Sequence, residues 1–345
     1  MIRTFKCPSC GGDLVYDPGS TQMKCIRCSR TTPFGEVDYE KDLLEAKPSE
    51  ASDNDGNGKE EYHCANCGAV LDTDDYTAST VCRYCGSPML LESRFSGDVK
   101  PSRILPFGFD KKKAQDNFKN WTGTGFLTPA SFKTQATMDK VTGVYVPYWL
   151  YNYTADVNIK AIGTRTRIER TQTEEIIHTD HFDINRLTQT EYTNVPENAH
   201  PDLPSDKLSV LEPYDFENLT AFVEPYIAGF FAEKYGKTKE ELEPGVRKTV
   251  EADAVQTALS QIIEYETVNP MGSRVDMVKA SSEYVMLPLW ALNFKYGGKN
   301  YPLFMNGRTG KIEGELPASR GKVLLVGLIA FIIVFLLTYL FGRVI

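Results

Sequence analysis

The chain has 345 residues, 41% of them hydrophobic and 24% charged, with a formal net charge of −8. That length holds one sizeable folded domain plus small modules. The acidic balance excludes a molecule built as a whole to seek nucleic acid or anionic lipid. Eight cysteines, arranged as four CxxC pairs, are too sparse for a disulfide scaffold and predict metal ligation in a reducing compartment.

Residues 1–35 read as a first small module. Met1 to Cys10 carries no apolar stretch, so no secretory signal peptide is expected. Cys7, Cys10, Cys25 and Cys28 follow the spacing C-x2-C-x14-C-x2-C, and the same spacing returns at an offset of 57 in Cys64, Cys67, Cys82 and Cys85, within residues 62–95. Two CxxC knuckles on tight turns deliver four thiolates to one zinc ion at about 2.3 Å. Gly11, Gly68 and Gly86 directly follow knuckles, where a left-handed residue is expected. Such sites are closed, with no position left for water, so the expectation is two structural Zn2+ ions and not catalytic ones. An iron–sulfur site or a redox CxxC is the alternative, and each lacks its usual sequence context. Between the modules, residues 36–61 hold ten Asp/Glu and three Lys, a net of −7, and read as a flexible acidic linker.

A larger α+β domain is expected over 98–317. Asp110 can cap a helix through Trp121, and Thr128-Pro129 offers a second helix start. Val144 to Tyr153, Asn158 to Thr166 and Glu175 to Tyr192 read as strands, followed by a loop from Val195 to Asp206. Pro225 to Tyr235 reads as a short buried helix closed by Gly236, and Pro244 to Ile263 as an amphipathic one. Antiparallel strands close the domain: Tyr284 to Tyr296, Asn300 to Met305 and Lys311 to Glu315. Within it, Val144 to Trp149 repeats at an offset of 141 as Val285 to Trp290, which predicts that Trp149 and Trp290 anchor one shared core.

Residues 322–342 form the last element. Val323 to Phe341 is a 19-residue stretch without charge, long enough to cross roughly 30 Å of hydrocarbon. It predicts a single-pass C-terminal membrane anchor. The zinc thiolates need the reducing side, and Arg320 and Lys322 agree with it, so the N-terminal bulk is expected in the cytoplasm.

Charge decides between partners. Residues 1–30 sum to +3 and residues 62–89 to −2, and each zinc with four thiolates adds about −2. Neither module presents the basic face that phosphate binding requires, so protein partners are expected over nucleic acid. His178 and Asp180 would share one face of a strand, with His181 on the other, so they do not converge on a metal. No nucleophile elbow, phosphate loop or other catalytic motif stands out, and no enzyme is expected.

Several segments together resemble a known family: the tandem CxxC modules, Gly143 to Trp149, Ile227 to Phe230, Leu287 to Trp290 and Asn306 to Lys311. They resemble bacterial tail-anchored tandem zinc-ribbon membrane proteins, exemplified by YdjG of Bacillus and often labelled PriA-like or TFIIB-type. This chain has no Walker A lysine loop to support a helicase label. The resemblance implies a membrane-bound adaptor in an envelope-stress complex, with a small membrane protein, an SPFH-domain protein and a PspA-like protein as partners. A membrane-tethered, nucleic-acid-associated zinc-ribbon protein is the alternative expectation.

Overall fold

The computed structural model describes residues 2–37, 60–64, 66–73, 75–91, 100–171 and 173–341. The acidic linker expected at 36–61 lies almost wholly outside the described residues, as do the boundaries expected near 95 and 98. The architecture is mixed α and β, with several sheets and few helices. The chain forms two compact units: one of Met1–Val146, Asp202–Lys234 and Met286–Ile345, the other of Pro147–Pro201 and Tyr235–Val285.

Short strands come first. β1 (Ile2–Arg3), β2 (Leu14–Asp17), β3 (Gln22–Cys25) and β4 (Thr31–Thr32) precede the linker, and β2, β3 and β4 make an antiparallel sheet of their own. β5 (Glu60–His63) and β6 (Val70–Thr73) form a hairpin, and β7 (Thr77–Val81) and β8 (Pro88–Leu91) form another. After β9 (Arg103–Ile104) comes α1 (Lys111–Thr124), with the Lys113 amide donating to the Asp110 carboxylate at 2.9 Å. Ala114, Phe118 and Thr122 recur every four residues on its buried face.

The expected helix at Thr128-Pro129 is instead a single 3-10 turn, Ala130–Lys133, followed by the short α2 (Gln135–Met138). Thr134 between them is extended (φ −74°, ψ 152°), which breaks the run. The two strands expected at 144–166 are one, β10 (Thr142–Arg170), because burial alternates through Tyr153, Ala155, Val157 and Ile159 without a gap. β11 (Glu175–Asn198) outlasts its expected end at Tyr192, and α3 (Ser205–Ser209) follows.

After β12 (Thr220–Ala221), the expected helix at Pro225–Tyr235 is absent. A 3-10 turn at Glu224–Ile227 leads through Gly229, at φ +87°, into β13 (Phe231–Glu233). α4 (Lys239–Ser260) starts five residues before Pro244, because Thr238 and Glu241 cap one another at 3.3 and 2.7 Å. β14 (Thr267–Tyr296) begins 17 residues before its expected start; its first half is mostly exposed, which hid the period-two signal. β15 (Lys299–Asn306), β16 (Ile312–Gly314) and α5 (Arg320–Phe341) are the last elements of the described residues.

In the first unit, β8 pairs with β1 on one side and β7 on the other, and β7 pairs with β13 (Ser79 opposite Ala232). β13 runs parallel to the start of β10, Phe231 opposite Val144. The core of this unit is aromatic. Phe107 stacks on Phe230 at 4.4 Å and meets Trp290 at 4.7 Å, with Tyr145 edge-on at 4.9 Å.

In the second unit, β10 and β11 run antiparallel from Tyr148 opposite Asn198 to Arg170 opposite Glu175. Ala155, Val157, Ile159 and Ala161 of β10 bury their face with Ala254, Ala258 and Ile262 of α4 and its C-terminal turn. Trp149 belongs here: its Nε1 donates to the Lys237 carbonyl at 3.1 Å and its ring packs on Tyr235 and Tyr284. The two tryptophans fall in different units. The chain changes unit inside each copy of the repeat, after Val146 and after Val285, so Trp149 follows the change into one unit and Trp290 into the other.

Candidate metal centres

Both predicted cysteine sets converge. In each, the four sulfurs lie within 4.8 Å of one another, and none of the eight forms a disulfide. Cys7–Cys28 and Cys10–Cys25 approach to 3.8 and 3.5 Å, and Cys64–Cys85 and Cys67–Cys82 to 3.6 and 3.7 Å. A tetrahedron with metal–sulfur bonds of about 2.3 Å has edges of about 3.8 Å, so each set has the size of a four-thiolate site.

Four near-identical turns build these sites. The amide of the residue after each knuckle returns to the first cysteine's carbonyl: Gly11 to Cys7, Ser29 to Cys25, Gly68 to Cys64 and Gly86 to Cys82, at 2.8–3.0 Å. All four closing residues have positive φ, from 59° to 76°. Sequence reading found the three glycines and missed Ser29, because serine carries no such signal. A second rung repeats as well, from Cys7 to Gly12, Cys25 to Arg30, Cys64 to Ala69 and Cys82 to Ser87, at 2.7–2.9 Å. Within the second knuckle, the Arg27 and Cys28 amides both point at Cys25 Sγ, 3.4 Å away.

The surroundings divide the thiols. Burial raises Cys25, but the amides of Cys28 and Arg27 outweigh it and hold the thiol down to about 7. The Ser87 hydroxyl, 3.3 Å away, brings Cys85 down to about 6. Cys64 is pushed up to about 12, chiefly by burial. A metal taking all four sulfurs must displace the protons held by the raised thiols, so acid opposes binding.

The two clusters are held differently. In the first, the Tyr16 amide of β2 donates to the Ala228 carbonyl at 2.9 Å, and its ring meets Tyr226 edge-on at 5.1 Å. Gly229 is required here: a Cβ on it would stand 2.8 Å from Val15. In the second, Cys82 and Cys85 sit on the turn between β7 and β8, strands of the large sheet. Buried Ser79 of β7 donates to the Phe230 carbonyl at 2.9 Å. Cys64 and Cys82 lie in a small core with Tyr62, Leu71, Met89 and Leu91. The segment 226–230, expected to be helical, thus grips both clusters.

Other flagged side chains stay apart from these centres. His178 faces Glu169 at 3.4 Å, while His181 lies opposite Thr164. Among the described residues, the groups of three or more His, Cys, Asp or Glu that converge with metal-binding geometry are the two cysteine sets.

No family model matches the sequence, and no solved structure matches it. The protein described as uncharacterized protein YdjG, from Bacillus subtilis (strain 168), is 33% identical over 326 residues, which is 94% of this chain and 92% of YdjG. The chain belongs to the YdjG family. The match spans nearly the whole length of this YdjG-family chain.

α5 is the other candidate functional element. It is long and apolar enough to cross a membrane, and none of its apolar window is buried against the rest of the protein.

Proposed function

We propose that this YdjG-family chain is a non-enzymatic, membrane-anchored adaptor that uses two zinc ribbons to dock a protein partner. Zinc is the metal assigned, because closed four-thiolate tetrahedra are its characteristic structural site. The observation that carries the docking role is the pair of outer knuckle tips. Ile26 and Tyr84 stand 50% and 72% exposed beside cysteines that, with zinc on all four sulfurs, would leave no position for chemistry. Rigid exposed apolar and aromatic groups on a polar rim are anchors for protein surfaces.

α5 is the anchor. Its 22 residues span about 33 Å, matching the hydrocarbon core, and an apolar helix of that length left bare in water would carry a large hydrophobic penalty. The thiolate sites favour a reducing, cytoplasmic location for the ribbons. Resemblance to the family makes a small membrane protein, an SPFH-domain protein and a PspA-like protein the first partners to test, within an envelope-stress complex.

Affinity purification of the full-length chain from solubilised membranes tests this reading. Ile26→Ala with Tyr84→Ala is expected to keep two zinc ions per chain and lose a specific partner. An unchanged partner set refutes the docking role, and iron in place of zinc refutes the metal assignment. A second reading has one observation in its favour: Lys24, Arg27 and Arg30 are all exposed on the first cluster. Salt-dependent binding of DNA or RNA by the full-length chain in detergent, lost on neutralising these three, would establish it.

A further inference from the structure

The root of α5 is tied to a loop with no role so far. The Ser319 amide donates to the Leu127 carbonyl at 2.8 Å. Lys322 Nζ donates to the Thr128 carbonyl at 2.8 Å and to the Phe126 carbonyl at 3.3 Å. Gly125 is pressed so close to Leu316 that a Cβ would stand 2.8 Å from its Cδ1. Four consecutive residues, 125–128, are thereby fixed against the chain entering the helix. Their backbone is held, yet the Phe126 ring is 77% exposed.

We propose that this loop is a second membrane contact, with Phe126 seated in the interfacial layer of the bilayer beside α5. The inference rests on the reading of α5 as a membrane span. If the apolar span begins at Val323, the first turn of α5 stands at headgroup level. A loop whose carbonyls lie within hydrogen-bond reach of Lys322 Nζ must stand there too. Aromatic rings are favoured at that depth, where an apolar body meets a wet, polar layer. The lysine gains as well: at the edge of a span its ammonium would have to snorkel to water, and the loop carbonyls supply acceptors in place. Lipid is the occupant the geometry favours over protein, because the exposed ring is hydrogen-bonded through its own backbone to the residue that precedes the span.

Photo-cross-linking of the full-length chain decides the matter. A benzophenone amino acid replaces Phe126 in one sample and Leu328, inside the span, in another, each reconstituted in phosphatidylcholine–phosphatidylglycerol vesicles. The expected result is lipid adducts at both positions in comparable yield, read by mass spectrometry. Lipid adducts at 328 with none at 126, or only protein adducts at 126, overturn the loop contact and leave the span standing. No lipid adduct at either position overturns the span and the loop contact with it.

Discussion

The two cysteine clusters share a spacing, a set of turns and a sulfur geometry, but they differ in what depends on them. The first lies on a three-stranded sheet of its own and reaches the rest of its unit through β1, which pairs with β8, and through β2 and Tyr16. The second takes Cys82 and Cys85 from the β7–β8 turn, a hairpin of the large sheet, and Cys64 and Cys67 from the β5–β6 turn. Duplicated metal-site geometry therefore need not mean duplicated structural importance. A metal that closes a local loop stabilises that loop, whereas one that closes a sheet hairpin stabilises every strand paired beyond it.

The largest expected effect tests this directly. Cys82→Ser with Cys85→Ser should lower the melting temperature of the first unit by roughly 10 °C. Cys25→Ser with Cys28→Ser should cost no more than about half of that. Calorimetry of the two double variants in the same detergent checks it, and equal losses would mean that β7 and β8 do not transmit the site's stability.

Position 12 offers a finer contrast. A Cβ on Gly12 would stand 2.8 Å from Arg27 Cβ and 3.1 Å from Cys25 Sγ, while the repeat-equivalent Ala69 already carries one. Gly12→Ala should weaken metal binding at the first cluster about tenfold, near 1.4 kcal/mol, through overpacking against the sulfurs. Ala69→Gly should change affinity at the second less than about threefold. Competition with a chelator measures both.

Next is a charge that one copy has and the other lacks. Lys6 pairs with buried Asp13 across a β-bridge, where the second copy pairs His63 with Val70. Lys6→Met leaves the Asp13 carboxylate without its cation and should cost about 1–2 kcal/mol, discounted for the lysine's partial exposure. His63→Met should stay within about 0.5 kcal/mol, as for an exposed site. Denaturant titration of the two variants compares them.

The smallest effect concerns Ser29, whose φ of 59° corresponds to Gly86 at 76°. Ser29→Gly should stabilise the first cluster by about 0.5–1 kcal/mol, and Gly86→Ser should cost a similar amount. No change in either would mean that the knuckle tolerates a side chain without strain.

Much of the candidate site was legible because metal ligation needs chemistry that few residues supply, at spacings the turns dictate. CxxC written four times at a constant offset named all eight cysteines that converge, and the glycines marked three of the four closing turns. Ser29 escaped because the hydrogen-bonded knuckle turn imposes its conformation, not its own preference. The strongly periodic elements were legible too. Asp110 began α1 as expected, and Val246, Val250, Ala254 and Ala258 marked the buried face of α4. The start of α4 was misplaced because Pro244 is a conspicuous helix starter, whereas the capping pair Thr238 and Glu241 is a quieter one.

By itself, the sequence determined the two four-cysteine sets, the long apolar C-terminal helix and the β-rich character of the middle of the chain. Each of these follows from residue type and short-range spacing, which no partner segment can alter. Tertiary structure decided the rest. Residues 226–230 turn and lead into a strand because β2 lies on one side of them and β7 on the other, and their carbonyls satisfy Tyr16 and Ser79. The matching tryptophans part company because the chain changes unit inside the repeat. The loop at Phe126 meets the root of α5 through its carbonyls, which accept from Ser319 and Lys322, nearly two hundred residues later. Contacts between segments so far apart in the chain leave no local periodicity to read.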